Sequence, residues 1–309
     1  MRTIKYLILF TLILLCSCKS GNVSGQESNN SKENLKPFEF PEIPMMYTEP
    51  EQRSNYLAKH YWENFNFADT NYVNRPEITE QAWVDYVNIL SYVPLQSAQQ
   101  YLTETFKLAE KETKVYKYFT ELADKYLYDP NSPFRNEEYY IAVLEVMIES
   151  KALEDVDKIR PIDRLETAKK NRVGYKAADF TYTTESGKQG SLYNIKSKYT
   201  LVYFNNPGCH ACEETIDQLK FSMSITKGVL DKEITILAIY PDEELDEWKK
   251  HLKDFPKEWI NGYDKQQTLN NKRLYDLKAI PCLYFLDKEK TVLLKDTSVQ
   301  AIEEYLANH

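Results

Sequence analysis

The chain has few of the residues that metal and nucleic-acid sites require. It has 309 residues but only 4 histidines, and Asp plus Glu (47) outnumber Lys plus Arg (39), for a net charge of −8. Phosphate binding requires a basic surface, so this balance argues against nucleic acid as a partner. His60 has no second histidine within ligand spacing, and structural zinc needs four ligands. The sequence therefore gives no reason to expect a metal.

Long apolar runs are also scarce, and the one at the start is short. Tyr6 to Leu15 is almost wholly apolar, too short to span a bilayer but suited to a signal-peptide core. The Leu-Cys-Ser-Cys that follows resembles a bacterial lipobox, with Ser17 directly before Cys18. This resemblance implies a lipoprotein signal peptide over residues 1–17 and lipid attachment to the sulfur of Cys18. The alternative is an ordinary cleaved signal.

The next two stretches differ in their capacity to pack. Residues 18–44 are rich in Ser, Asn, Gly, Lys and Glu and predict a flexible tether. Residues 45–172 show helical periodicity, and proline breaks or opens the segments. We expect the aromatic residues of this stretch to form a core rather than a cofactor site, namely Tyr56, Tyr61, Trp62, Phe65 and Phe67. The predicted helices are Pro50 to Phe65, one from Pro76, one or two over Leu95 to Tyr128, Asn136 to Ser150, and Val156 to Asn171 with a possible interruption at Pro161.

The most informative stretch is YTLVYFNNPGCHAC, from Tyr199 to Cys212. Its first part predicts a fully buried strand, and Asn-Asn-Pro-Gly then predicts a turn. A helix should follow, with Ile216, Leu219, Phe221 and Met223 on its apolar positions. Cys209 then lies at the helix N-terminus, where free N–H groups and the helix dipole favour a thiolate.

Strands and helices alternate through residues 173–309, which predicts a mixed sheet with helices on both faces. The predicted strands are a hairpin of Thr181 to Thr184 with Gly187 to Gly190, the strand before Cys209, Ile234 to Tyr240, Leu283 to Leu286 and Thr291 to Leu294. The predicted helices are Asp242 to Phe255, Leu269 to Leu277 and Ser298 to Ala307.

This domain resembles the thioredoxin superfamily, and most closely its TlpA/ResA branch of exported thiol–disulfide oxidoreductases. The resemblance rests on the CxxC between strand and helix and on Ile280-Pro281 before a later strand. It implies an α/β thioredoxin-like fold behind an all-α domain, since the helical run resembles an uncharacterised domain found in front of such domains. It also implies that Cys209 attacks a disulfide, that Cys212 resolves the mixed disulfide, and that Pro281 is cis, with the backbone of Ile280 pairing with substrate.

Four positions modify this expectation. Tyr203 replaces the buried acid of thioredoxins, and Thr215 replaces a glutamate of some ResA-type proteins. His210, as imidazolium, would stabilise a Cys209 thiolate, and as a neutral ring it would merely cover the site. Cys282 is either a third redox thiol or a small buried residue.

The predicted function is that of a periplasm-facing, membrane-anchored thiol–disulfide oxidoreductase that reduces or isomerises disulfides of exported proteins. It would use the Cys209–Cys212 disulfide and no other cofactor, and take electrons from a membrane thiol donor. We expect the cell envelope of a Gram-negative bacterium, with the outer membrane favoured over the inner. The alternative is a non-catalytic binding lipoprotein whose CxxC is a structural disulfide. A peroxidase is disfavoured because the Pro-and-Thr signature is missing before Cys209.

Overall fold

The computed structural model describes residues 38–309, which are helical up to residue 172 and carry all the described strands after it. Among the described residues, no helix is both long and apolar enough to cross a membrane. The predicted signal peptide, Cys18 and most of the predicted tether lie outside the described residues.

Six α-helices fill the first part. Proline occupies the first turn of the helices that begin at Pro50 and Pro76, where its missing N–H would have no helical partner. A π-helical turn, Asp124–Tyr128, extends the helix that ends at Ala123, and a 3₁₀ turn, Thr70–Asn74, precedes the helix that begins at Pro76. The α-helices are α1 Pro50–His60, α2 Pro76–Leu90, α3 Leu95–Ala109, α4 Thr113–Ala123, α5 Glu137–Glu149 and α6 Asp155–Ala168.

Aromatic rings form the centre of this helical part. Trp62 packs edge-on against Phe119 with ring centroids 5.3 Å apart, and Trp83 is fully buried beside them. His60 lies outside this cluster, where its Nδ1 contacts Glu63 at 2.5 Å and its ring stacks on Tyr56. The aromatic residues are therefore core, as the sequence predicts.

The structure decides two helical predictions that the sequence left open. The stretch from Leu95 to Tyr128 forms two α-helices and the π-helical turn, because the side chain of Glu112 accepts the N–H of Lys114 and starts α4 anew. Helix α6 runs through Pro161 without interruption. The helix thus tolerates the loss of the one backbone hydrogen bond that proline cannot donate.

The second part is a seven-stranded mixed sheet. The strands are β1 Thr181–Thr184, β2 Gln189–Ser191, β3 Tyr199–Phe204, β4 Ile234–Tyr240, β5 Ile260–Tyr263, β6 Cys282–Leu286 and β7 Val292–Lys295. Their order in the sheet is β2-β1-β5-β4-β3-β6-β7. Strands β3, β4 and β5 are parallel, whereas β6 runs antiparallel to β3. The helices are α7 His210–Phe221, α8 Met223–Leu230, α9 Leu245–His251, α10 Thr268–Asn271 and α11 Val299–Asn308.

Strand β3 is buried on both faces of the sheet, which explains its unbroken apolar sequence. Tyr203 belongs to one core, together with Leu283 of β6 and residues of α7, α8 and α11. Phe204 belongs to the opposite core, together with Cys282 and Tyr275. The two cores separate successive residues of each central strand, because side chains alternate across a sheet.

Three predictions in this part were incomplete or wrong. Strand β5 was missed because its sequence, INGY, contains Asn and Gly; a Cβ on Gly262 would come within 2.9 Å of the Tyr182 ring. The helix expected over Leu269 to Leu277 ends at Asn271, after which Arg273 has a positive φ of 47°.

The third of these predictions concerns the helix after Cys212. It ends at Phe221, and Ser222 caps a new helix, α8, by accepting the N–H of Ile225. The break changes which residues face the core, so Ile225 is buried while Phe221 and Met223 are 82% and 86% exposed. Both were predicted on the apolar face.

Candidate active site

Cys209 occupies the N-cap position of α7, at the end of the turn that follows β3. Its carbonyl accepts the N–H groups of Cys212 and Glu213, both at 3.0 Å, which begins the helix. The side chain is partly exposed, and its Sγ donates to the carbonyl of Ile280 at 3.9 Å. Cys209 is therefore accessible and lies at the helix end that favours negative charge.

Cys212 lies one helical turn further on and is only 2% exposed. Its Sγ accepts the backbone N–H of Asn206 at 3.5 Å, and both cysteines are free thiols in this structure. Burial raises the pKa of the Cys212 thiol to about 12, and the neighbouring Cys209 contributes to the rise. The pair thus combines an accessible thiol with a buried thiol that keeps its proton at neutral pH.

The third component of the site is the Ile280–Pro281 segment. Its peptide bond is cis, the form that the thioredoxin resemblance implies. Cys282 pairs with Phe204 in the antiparallel register of β3 and β6, so the residues before Cys282 lie beside the turn that follows β3. Four of the predicted site residues, Cys209, Cys212, Ile280 and Pro281, come together in this way.

Tyr203 lies beneath this group and is fully buried. Its hydroxyl donates to the carbonyl of Cys212 at 2.8 Å. Burial raises the pKa of Tyr203 well above its ordinary value, so the phenol stays protonated. Sequence comparison identified only the missing acid at this position; the structure shows a phenol that supports the helix turn carrying Cys212.

The side chains of His210 and Thr215 are not directed to the two cysteine sulfurs and have partners within their own helix instead. His210 is 84% exposed, and its Nδ1 lies 3.5 Å from Glu214 on the same helix. Thr215 donates its hydroxyl to the carbonyl of Ala211 at 2.9 Å, a bond within α7. Neither side chain has a contact with a cysteine sulfur among the described hydrogen bonds.

Cys282 lies on the other side of the sheet from Cys212. It packs in the core with Phe204, and its Sγ donates to a carboxylate oxygen of Asp296 at 3.5 Å. Burial, and then the nearby Asp296 carboxylate, raise the pKa of the Cys282 thiol well above its ordinary value. The structure therefore does not bring Cys282 together with the Cys209–Cys212 pair.

Metal-binding geometry does not occur in the part of the chain that the structure describes. There, no three or more His, Cys, Asp or Glu side chains are grouped so that they could hold a metal ion. The chemistry that this site offers is that of two thiols.

Comparison with known proteins identifies both parts. A family model described as thioredoxin-like matches residues 197–292. The crystal structure of a thioredoxin-like protein from Bacteroides caccae shares 60% identity and a TM-score of 0.87, and covers 89% of this chain and 99% of its own. The chain belongs to the thioredoxin-like family. In this thioredoxin-like protein, residues 16–171 match a second model, described as a domain of unknown function, DUF5106.

Two further solved structures resemble only part of this thioredoxin-like protein. The C-terminal domain of an uncharacterised protein from Bacteroides fragilis shares 60% identity, with a TM-score of 0.44, and covers 44% of this chain and 98% of its own. The thioredoxin domain of a thiol-disulfide oxidoreductase from Bacteroides vulgatus shares 22% identity, with a TM-score of 0.40, and covers 44% and 96%. The search of curated proteins finds no match.

Proposed function

We propose that this thioredoxin-like protein is a thiol–disulfide oxidoreductase that acts through Cys209 and Cys212. The observation that carries the proposal is the arrangement of the two thiols. Cys209 is accessible at the start of α7 and faces the Ile280 carbonyl, and the buried Cys212 lies directly behind it. Disulfide exchange needs such a pair, one thiol to attack and one to resolve.

The reaction transfers two electrons from the dithiol to a substrate disulfide. The Cys209 thiolate attacks one substrate sulfur, so that the substrate S–S bond breaks, a mixed disulfide forms and the other substrate sulfur leaves as a thiolate. Cys212 then loses its proton and attacks the Cys209 sulfur, which breaks the mixed disulfide and releases the second substrate thiolate. The protein is left with a Cys209–Cys212 disulfide, and the substrate thiolates take up protons. A dithiol donor must reduce this disulfide before the next cycle.

The environment of Cys212 is that of a reductant and not of a strong oxidant. Strong oxidants of this chemistry are those whose reduced form is stabilised, chiefly by a stable thiolate. Here, burial destabilises the Cys212 thiolate and raises the pKa of its thiol to about 12. The reduced pair therefore gains no thiolate stabilisation from this sulfur. Disulfides of exported proteins would be reduced or isomerised.

The proposed location follows from the start of the sequence. Lipid attached at Cys18 would hold the protein on a membrane facing the periplasm, and the residues after Cys18 favour the outer membrane. A reductase in an oxidising compartment requires a source of electrons. We propose a membrane thiol carrier as the donor and exported proteins with thiols or disulfides as the substrates.

The reduction potential of the Cys209–Cys212 pair tests this proposal. The protein would be equilibrated with glutathione or dithiothreitol buffers, and the remaining thiols alkylated and counted by mass spectrometry. We expect a value near that of thioredoxin, about −270 mV. A value near about −120 mV would make the protein an oxidant of thiols. A disulfide that survives strong reductant would overturn the enzymatic proposal and leave a binding lipoprotein.

A further inference from the structure

A buried group of charges lies against β6 and β7, on the face opposite Cys212. Arg135, in the loop before α5, forms an ion pair with Asp296, directly after β7, and the two side chains are 21% and 17% exposed. The other carboxylate oxygen of Asp296 accepts the Sγ–H of Cys282 at 3.5 Å. A side chain of the helical part thus reaches, through one carboxylate, the residue that follows Pro281.

A second contact from the helical part meets the 276–281 loop itself, which carries Ile280. The centroid of the Tyr128 ring, in the π-helical turn, is 4.0 Å from the guanidinium of Arg164 and 4.5 Å from the amine of Lys278. Lys278 also forms an ion pair with Asp276, and both side chains are largely buried. The loop is therefore held between β6 and a side chain of the helical part. Single π-helical turns of this kind are frequent at functional sites.

A third contact fixes the backbone next to Asp296. The amine of Lys295 donates to the carbonyls of Ala168 and Lys170, at 3.2 and 2.7 Å, and lies 2.5 Å from the carboxylate of Glu137. The carbonyl of Ala168 lies in the last turn of α6, where carbonyl groups have no hydrogen-bond partner within the helix. Lys295 is only 8% exposed, so this amine is committed to the helical part.

The cost of burying these charges indicates what they do. A buried ion pair is rarely more stabilising than apolar packing of the same volume, but removal of one partner leaves an uncompensated charge. What such a pair does provide is a fixed relative position of two segments, here the loop before α5 and the end of β7. Cys282 is bound to that pair, and the carbonyl that faces Cys209 lies only two residues earlier, at Ile280. A displacement of this loop would move the carbonyl with which a substrate backbone can pair, and so would weaken substrate binding.

We propose that Arg135 is a positioning residue for the reaction of Cys209, and that the helical part holds the 276–281 loop in place for a polypeptide substrate. This inference rests on the proposed function and adds to it a role for the helical part. An extended polypeptide can pair with the backbone of Ile280 as well as react with Cys209. A small disulfide reacts with Cys209 alone, so its reaction does not depend on the loop.

Single-turnover kinetics of the full chain test the inference. Reduced protein would be mixed with excess insulin, a polypeptide disulfide, or with hydroxyethyl disulfide, a small one. For Arg135→Ala we expect the half-saturating insulin concentration to rise about fivefold, with the limiting rate and the hydroxyethyl disulfide rate unchanged. Arg135→Lys, which retains a cation, should recover most of the insulin affinity. Asp296→Asn should match Arg135→Ala, and the double variant should be no worse than either, because the two residues act as one unit.

Arg273→Ala is the matched control. Arg273 forms an ion pair with Asp163 and a 3.0 Å hydrogen bond with Thr167, so it also joins the helices to the second part. Among the described hydrogen bonds and ion pairs, its side chain has none with Asp296 or Lys278. We expect Arg273→Ala to leave insulin kinetics unchanged. If the wild-type protein is active and Arg135→Ala has unaltered insulin kinetics, the inference is wrong but the proposed function stands. Equal losses with both disulfides, in step with a lower melting temperature, would also overturn it, since they indicate a structural role. Wild-type protein that reduces neither disulfide would overturn the proposed function and this inference together.

Discussion

Cys212 and Cys282 are both buried thiols of raised pKa, yet they lie on opposite faces of one sheet and have different neighbours. Cys212 lies beside a second thiol and accepts a backbone N–H from Asn206. Cys282 lies beside the Asp296 carboxylate, to which its thiol donates a hydrogen bond. A carboxylate disfavours a thiolate next to it, whereas an N–H donor supports one.

The difference shows that burial alone does not indicate whether a cysteine takes part in redox chemistry. The two cysteines differ in their neighbours. Cys212 lies beside a second thiol, that of Cys209, whereas Cys282 lies beside Asp296, whose carboxylate is paired with Arg135 of the helical part. We therefore assign Cys282 to structure and Cys212 to the proposed reaction. The following predictions test this contrast, beginning with the largest expected effect.

Serine substitutions of the three cysteines should distinguish the Cys209–Cys212 pair, on which disulfide reduction should depend, from Cys282 on the opposite face of the sheet. Cys209→Ser should abolish disulfide reduction, because no nucleophile remains at the start of α7. Cys212→Ser should accumulate mixed disulfides through Cys209, visible as adducts on non-reducing gels. Cys282→Ser should retain reduction, since a hydroxyl can still donate to Asp296. Loss of reduction in a folded Cys282→Ser protein would mean that the third thiol takes part after all.

The reduction potential should become more negative with rising pH, by at least about 30 mV per pH unit between about pH 6 and pH 9. Oxidation removes the proton from Cys212, whose pKa of about 12 keeps it protonated across this range. Higher pH withdraws that proton and so favours the disulfide. Titration with dithiothreitol buffers at several pH values measures the slope. A potential independent of pH would show that Cys212 is already a thiolate.

Two tyrosines provide the same contrast for stability. Tyr203→Phe removes the hydroxyl that donates to the Cys212 carbonyl and should lower the free energy of unfolding by about 1 kcal/mol. Tyr284, buried on the opposite face, has no hydrogen-bond partner for its hydroxyl among the described residues. Tyr284→Phe should therefore be neutral or stabilising. Urea unfolding of both variants compares them directly, and an equal loss in the two would contradict the prediction.

His210→Gln should have the smallest effect. The side chain is 84% exposed, and solvent screens its charge from the sulfur of Cys209. We expect the reduction potential to change by less than about 30 mV, which corresponds to tenfold in the equilibrium constant. A larger change, measured in the same dithiothreitol buffers, would show that the imidazole reaches the thiolate during the reaction.

Much of the second part could be predicted from sequence because its signals are local. The apolar run before Cys209 and the turn at Asn205 to Gly208 identify strand, turn and helix without any long-range information. The family resemblance then supplied Ile280 and Pro281, which lie far away in sequence. Strand β5 was not predicted, because Gly262 is required by the neighbouring Tyr182 ring and not by the strand itself.

The contacts that distinguish this protein depend on tertiary structure and left no sequence signal. Arg135 and Asp296 meet across 161 residues of chain, and neither belongs to a recognisable motif. The side of the sheet on which Cys282 lies followed from the β3–β6 register, which sequence does not specify. The helix break at Ser222 was also not predicted, because a capping residue within an apolar run is typical of one continuous helix.

The register of β3 and β6 also restricts which of the described cysteines could form a disulfide. Of the pairings that Cys209, Cys212 and Cys282 allow, only one joins sulfurs on the same face of the sheet. Once β6 has docked in register, the sheet itself separates Cys282 from the other two, and mispaired forms cannot persist in the folded chain. A slip of one residue would move Cys282 to the face of Cys212. Correct strand pairing thus leaves Cys209 and Cys212 as the one pair of described cysteines that could form a disulfide in the folded protein.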